Sequence, residues 1–311
     1  MNILKQIKRS KFPKYFLFKK NKNSIAIIGT RRGGTTFLAN LLSDSQTRII
    51  DQPLEAFDRS VKSKYATFKK TKLPPKELHQ FFKISEEDDF KLRSYFEDFE
   101  KGSNSFVDLN YGLFKSRIVY KFTFGGYFYK SLFTLNIKPI ILFRHPYTQS
   151  ISCVRNSWSN YYPVYLDSIY FKNNYLNDSK YNEMLRIDKY GTPIEKAILD
   201  WYCGNAELLQ SWKSIDTVFY ENIVINPDST SDFLESKFDI TIPNEKFDKP
   251  SGSSFLSEKK FKKNIHNKDF KINHLNKHFK NISDEERKNL QNLFDILEIK
   301  IYSMYSHLPL I

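Results

Sequence analysis

The chain has little cysteine, no long apolar run and no internal repeat. Its 311 residues include two cysteines, Cys153 and Cys203. Two cannot staple a disulfide scaffold; they fit a reducing compartment, and a cytoplasmic protein is expected. Neither has a Cys or His neighbour at metal-ligand spacing, so the sequence offers no zinc site. No apolar run approaches the roughly 20 residues that a membrane-spanning helix needs. The first stretch, MNILKQIKRSKFPKYFLFKKNKN, is basic throughout and lacks the uninterrupted apolar core of a signal peptide. It is read as a solvated leader, residues 1–23, ahead of one domain over 24–311. Lys5, Lys8, Arg9, Lys11 and Lys14, with Phe12, Tyr15 and Phe16, give that leader a means of peripheral contact with an anionic bilayer.

Positive charge, by contrast, is abundant. Lys and Arg number 49 against 35 Asp and Glu, a net charge of +14 that points to anionic partners. Lys, Asn, Ile, Phe and Tyr are all plentiful, the pattern of AT-rich codon usage, so part of that charge carries no functional meaning. The basic residues are spread along the chain and no RNP or zinc signature appears, so nucleic acid is not an expected partner. His266, His274 and His278 cluster in a basic carboxyl-terminal segment and are read as solvated surface. An apolar share of 40% and an aromatic share of 16% are those of a globular protein able to bury a core.

The chain is organised around residues 25–38, IAIIGTRRGGTTFL. Residues 24–28 form a short run rich in β-branched side chains, as a buried parallel strand should. Gly29, Gly33 and Gly34 follow within six residues, and helical spacing resumes at Thr35. Strand, glycine loop, helix aims backbone N–H groups at an anion. The spacing is almost that of a Walker A loop, but Thr35 stands where the lysine belongs. Arg31 and Arg32 sit inside the loop instead.

Further strands are expected at 48–51, 117–123, 138–144 and 217–220. Helices are expected at 35–42, 54–70, from Pro74–Pro75 to about 102, and at 127–135, 146–157, 193–212, 229–238 and 283–305. Residues 160–190 are rich in Tyr and Asn with weak periodicity, and are read as an acceptor-side insertion above the sheet. Alternating strands and helices imply an α/β protein: three layers, α/β/α, around a mainly parallel sheet. Ligands then bind outside the carboxyl ends of the strands. Arg144 ends the fourth strand there, and Ser152 lies eight residues on, two turns into a helix begun by Pro146. Two anion grips on one sheet edge imply a ligand with two separated anionic groups.

With these residues the chain resembles the sulfotransferases that use 3′-phosphoadenosine 5′-phosphosulfate (PAPS), which have a P-loop NTPase-like fold. Their loop pattern G-x-P-[RK]-[ST]-G-[ST]-[ST] is matched by residues 29–36. The resemblance implies that Arg31, Arg32, Gly33, Gly34, Thr35 and Thr36 surround the phosphosulfate. It also implies that Arg144 and Ser152 bind the 3′-phosphate. A third segment, V-x-x-Y-E-[DN]-L, is similar to 218–223 and makes Tyr220 an adenine contact. The resemblance is specific over 24–57 and 117–157, and fair over 192–240.

Some positions depart from the pattern. Arg31 replaces a proline and Gly33 a Ser or Thr, which makes the loop more flexible and more positive. Aryl and steroid members carry K-[TS]-H after the third strand, with His as base; here Lys121-Phe122-Thr123 keeps the Lys and lacks the His. Carbohydrate-modifying members place a Glu, often in Glu-Pro, after the second strand. Gln52 occupies that place here, flanked by Asp51 and Glu55. Sulfuryl transfer needs a base, in-line positioning and cations, and the lower charge of sulfate lets protein cations act without a metal. Glu55 is the first choice of base and Asp51 the second, with Lys121 and Arg32 as the cations. The acceptor expected from this pattern is a sugar hydroxyl on a glycan or glycolipid made in a bacterial cytoplasm. Two alternatives stand beside this reading: a P-loop kinase-like phosphotransferase and a non-catalytic polyanion binder.

Overall fold

The computed structural model describes residues 22–60, 81, 86–101, 116–248 and 268–311. The leader up to residue 21, residues 61–70 of the helix expected from 54, the first part of the helix expected from Pro74–Pro75 (up to 80, and 82–85), and residues 249–267 lie outside them.

Five strands form one parallel sheet: β1 (Ser24–Ile28), β2 (Thr47–Asp51), β3 (Arg117–Phe122), β4 (Ile137–Phe143) and β5 (Thr217–Phe219). Their order is β2-β3-β1-β4-β5, with β1 at the centre. The helices are α1 (Thr35–Leu41), α2 (Pro53–Ser60), α3 (Glu86–Lys101), α4 (Tyr129–Thr134), α5 (Pro146–Arg155), α6 (Tyr162–Leu166) and α7 (Ile169–Tyr175). They continue with α8 (Asp178–Tyr190), α9 (Pro193–Ser211), α10 (Tyr220–Ile225), α11 (Pro227–Phe238), α12 (Lys268–Asn276) and α13 (Asp284–Ile296).

The sheet is buried on both faces because its strands send apolar side chains both ways. Ile25 and Ile27 of β1 join Leu38, Val119, Ile140, Leu142 and Leu234 in one cluster. Ala26 and Ile28 join Tyr120, Phe122, Ile141, Phe143 and Trp201 in the other. The two-residue period of a strand therefore produces the three layers.

Helix starts follow local chemistry. Thr192 caps α9 with a complete capping box, its side chain accepting from Glu195 N–H while the Glu195 carboxylate accepts from Thr192 N–H. Ser283 caps α13 by accepting from Glu286 N–H.

Residues 160–190 form three helices, α6 to α8, and their buried rings (Tyr162, Tyr165, Phe171, Tyr175) join the larger core cluster. Aromatic packing carries that segment, which is why its helical periodicity is weak in sequence. The last helix stops at Ile296 instead of running to 305. Glu298 takes a left-handed φ of 56°. Glu298 N–H donates to Asp295 O (3.1 Å) and Ile299 N–H to Phe294 O (2.9 Å), a Schellman stop without glycine. Ile301, Tyr302 and Met304 are then buried beyond it. No helix among the described residues is long and apolar enough to cross a membrane.

Candidate active site

Parallel strands bring five chain segments to one edge: the loop after Ile28, Asp51–Gln52, Thr123, Arg144 and Tyr220. The loop is fastened first. Gly29 passes so close to β4 that a Cβ there would lie 2.9 Å from Leu142 O. Gln149 of α5 donates through Nε2 to Thr30 Oγ1 (2.7 Å) and to Arg31 O (2.6 Å). Gly33 N–H closes a turn on Thr30 O at 3.0 Å. Arg32 and Gly34 are both left-handed, with φ of 62° and 99°. Gly34 has a second constraint: a Cβ there would meet Tyr220 Cδ2 at 2.6 Å. Glycine is required at that position twice over, by backbone and by space.

The two expected grips turn out to touch. Arg32 Nε donates to Ser152 Oγ at 3.0 Å, and Arg144 Nη1 donates to Arg32 O at 2.9 Å. The Arg144 guanidinium lies 4.5 Å from the Tyr220 ring centroid. Its Nε is buried and has no hydrogen-bond partner among the described residues. Such a donor suits an anion, since an unpaired buried N–H is costly. Arg32, Arg144, Ser152 and Tyr220 thus form one continuous surface beside the loop.

Lys121 lies on the α1 face of β3, two residues on from Val119, and pairs in register with Asp51 of β2. Its Nζ donates to Thr36 Oγ1 at 3.1 Å and sits 2.9 Å from Asp51 Oδ1. The lysine side chain is 12% exposed and the aspartate 59%, so the pair has one end in the core and one in solvent. Gln52 and Thr123, which stand where the resemblance would place a base, bond to each other here. Gln52 Nε2 donates to Thr123 Oγ1, and Thr123 N–H donates to Gln52 Oε1 at 3.3 Å. An amide and a hydroxyl locked together supply no proton acceptor of the required strength. Glu55 is in the first turn of α2, and its charge is felt by the Tyr161 phenol, which burial pushes above its ordinary pKa.

Arg31 differs from the sequence expectation of a second loop cation. Its guanidinium is committed to Asp200 Oδ2 (2.7 Å) and Ser159 O (2.6 Å). His274 and His278 are also corrected: they are half-buried rather than solvated. Burial, with the charges of Lys277 and Arg144 beside them, lowers both to about 4. His266 lies outside the described residues.

Sequence reasoning missed the support under Arg144. His145 N–H donates to Glu221 Oε1 at 2.9 Å, and Tyr302 OH donates to Glu221 Oε2 at 2.9 Å. His145 Nδ1 accepts from Tyr147 N–H, so Nε2 carries the proton and donates to Ser303 O at 3.0 Å. The signal in the sequence was a Glu directly after a strand, a place where burial demands partners.

His145 is fully buried, and burial lowers its pKa to about 4. The unfolded chain, with a histidine near 6.5, therefore takes up its proton first as pH falls. The associated stability is fully present above about pH 6.5 and is lost as pH falls toward 4. Burial raises Glu221, which acts in the opposite sense and offsets part of the loss. The urea midpoint is expected to drop between pH 7 and pH 5, and His145→Gln should reduce that dependence by about one proton. His274 and His278, lowered likewise, contribute in the same sense, so a slope identical in the variant would show that His145 adds nothing to theirs.

Against known proteins, the sulfotransferase domain family matches residues 22–302. No curated protein matches. Among solved structures, the sulfotransferase domain from the Synechococcus PCC 7002 olefin synthase is similar at 16% identity and a TM-score of 0.36. The match covers 73% of this chain and 77% of that one. The family match spans the loop, the Lys121 strand, Arg144 and the buried Glu221 alike, and the chain belongs to the sulfotransferase domain family.

Proposed function

We propose that the protein transfers the sulfuryl group of PAPS to a sugar hydroxyl of a glycan or glycolipid. The observation that carries this reading is the chain of contacts Thr36–Lys121–Asp51, which joins the anion loop to a solvent-reaching carboxylate through one lysine. A further support for this donor is the contact of Arg32 with both Ser152 and Arg144, beside the ring of Tyr220. A nucleotide with phosphate at 3′ and phosphosulfate at 5′ has the two anionic ends that surface suits.

In this reading the loop and Arg32 bind the phosphosulfate, and Arg144 with Ser152 binds the 3′-phosphate. The acceptor hydroxyl gives its proton to a carboxylate as its oxygen bonds to sulfur. The bond from sulfur to the bridging oxygen breaks, and adenosine 3′,5′-bisphosphate leaves. Lys121 and Arg32 stabilise charge on the bridging and sulfonate oxygens. Asp51 takes precedence over Glu55 as base, reversing the order expected from sequence, because Asp51 is joined through Lys121 to Thr36. The bonded Gln52–Thr123 pair removes both of the family's usual bases, which is why a flanking carboxylate is needed. Losing a general base costs on the order of 10²–10⁴ in rate. Asp51→Asn is therefore expected to cut turnover by that factor with nucleotide affinity nearly unchanged, and Glu55→Gln to cut it less. Near-normal turnover in both variants would overturn the carboxylate base and the sugar acceptor with it.

The loop has Thr35 in place of the Walker lysine, and protein cations surround it. Transfer is expected to persist in excess EDTA. Activity lost on chelation and restored by Mg²⁺ would support a phosphotransferase instead.

A further inference from the structure

Arg31 and Asp200 form a buried ion pair that the chemistry above does not use. Their side chains are 9% and 11% exposed. One oxygen of Asp200 holds Arg31 of the loop at 2.7 Å, and the other accepts from the backbone N–H groups of Tyr161 and, at 2.9 Å, Tyr162. Arg31 in turn donates to Ser159 O at 2.6 Å and lies 4.0 Å from the Tyr161 ring centroid. Phe124 and Trp158 flank the guanidinium at 5.4 and 5.3 Å.

Three separate parts of the chain therefore meet on one carboxylate: the anion loop, helix α9 and the start of α6. The α6 side is also packed toward the strand ends. Phe81 contacts Phe124, Tyr161 and Tyr165 with ring centroids 5.1, 5.4 and 5.6 Å apart, and Phe124 directly follows Thr123. Burying an ion pair is not an efficient way to stabilise a core, since apolar residues of the same volume often do as well. What the pair supplies that apolar residues would not is a fixed direction: charge-assisted bonds that hold both segments in register.

We propose that Asp200 is a positioning residue that couples the loop 29–36 to the segment 158–166. Through Arg31 it fixes the loop, and through Tyr161 and Tyr162 it fixes the entry to α6. Ordering one segment therefore lowers the cost of ordering the other. This rests on the proposed function only in taking the loop as the donor site and 158–166 as acceptor-side. On that basis, donor binding prepares the acceptor side before the acceptor arrives.

Amide hydrogen exchange on the full chain tests this, with adenosine 3′,5′-bisphosphate as the probe. Two variants are compared with wild type: Asp200→Asn, and Arg31→Met with Asp200→Leu, which leaves no unpaired buried charge. Without nucleotide, both 29–36 and 158–166 are expected to exchange at least about tenfold faster in the double variant, with β4 unchanged. With nucleotide, wild type should gain protection in both segments, and the double variant in 29–36 only. Asp200→Asn should follow the double variant. Unchanged exchange in 158–166 without nucleotide, or equal nucleotide protection of that segment in all three proteins, would overturn the coupling. Absence of any nucleotide effect in wild type would overturn the donor reading, while the nucleotide-free comparison still decides the coupling by itself.

Discussion

Lys121→Ala is expected to lower turnover by about 10²–10³-fold at saturating donor and acceptor, the usual cost of removing one preorganised electrostatic contact. The lysine has two jobs in the geometry. It donates to Thr36 Oγ1 at the start of α1, and it holds Asp51 at 2.9 Å. Truncation removes a cation from the loop and releases the carboxylate proposed as base, so both effects fall on the chemical step. Affinity for adenosine 3′,5′-bisphosphate should fall far less, because Arg32, Arg144 and Ser152 are untouched. Lys121→Arg should rescue poorly, since a planar guanidinium does not reproduce the point contact of an ammonium. Steady-state turnover with calorimetric nucleotide affinity in parallel checks the split. An unchanged turnover, or a loss confined to nucleotide affinity, would contradict the assignment.

Arg144→Ala carries the second large effect, this time on binding. A charge-assisted phosphate contact of about 1.5–3 kcal/mol corresponds to roughly ten- to hundredfold in affinity. Adenosine 3′,5′-bisphosphate should lose that much, and adenosine 5′-phosphate much less. The smaller loss is not zero, because Arg144 also donates to Arg32 O and so steadies the loop from below. Equal losses for the two nucleotides would show that Arg144 acts only as that brace and does not read the 3′-phosphate. The buried support under it makes the comparison clean. His145 and Glu221 fix the turn after β4 by backbone and carboxylate contacts that truncating Arg144 leaves in place.

Much of this was legible in the sequence because strands and glycine loops obey local rules. The apolar run at Ser24–Ile28 coincides with the observed strand, and each of the other expected strands agrees with the observed one to within a residue at either end. Their carboxyl ends then delivered the loop, Asp51, Lys121, Arg144 and Tyr220 to one edge, as parallel topology requires. Long-range contacts were not legible. Nothing local marks Arg31 as the partner of Asp200, 169 residues away in sequence. Nor does anything local say that Gln52 and Thr123, 71 residues apart, satisfy each other. The helices within 160–190 leave only a weak periodicity in the sequence, because they are held by rings rather than by an aliphatic stripe. The sequence pattern runs the last helix too far because its stop is a left-handed Glu298, where the usual signal is glycine. His274 and His278 belong to the same class: their charge suggested solvent, and only tertiary packing buries them.

In the proposed function one surface, from the loop at Gly29–Thr36 to Arg144 and Ser152, binds a nucleotide by both its 3′ and 5′ anionic ends. Titration calorimetry with adenosine 3′,5′-bisphosphate, against ATP·Mg²⁺ and adenosine 5′-phosphate, decides whether it does. The bisphosphate is expected to bind at one site per chain. Its affinity should be at least about tenfold above that of adenosine 5′-phosphate if the added phosphate meets Arg144 as proposed. ATP·Mg²⁺ should bind more weakly than the bisphosphate. Tighter binding of ATP·Mg²⁺ than of the bisphosphate, or no gain from the 3′-phosphate, would contradict the proposed function.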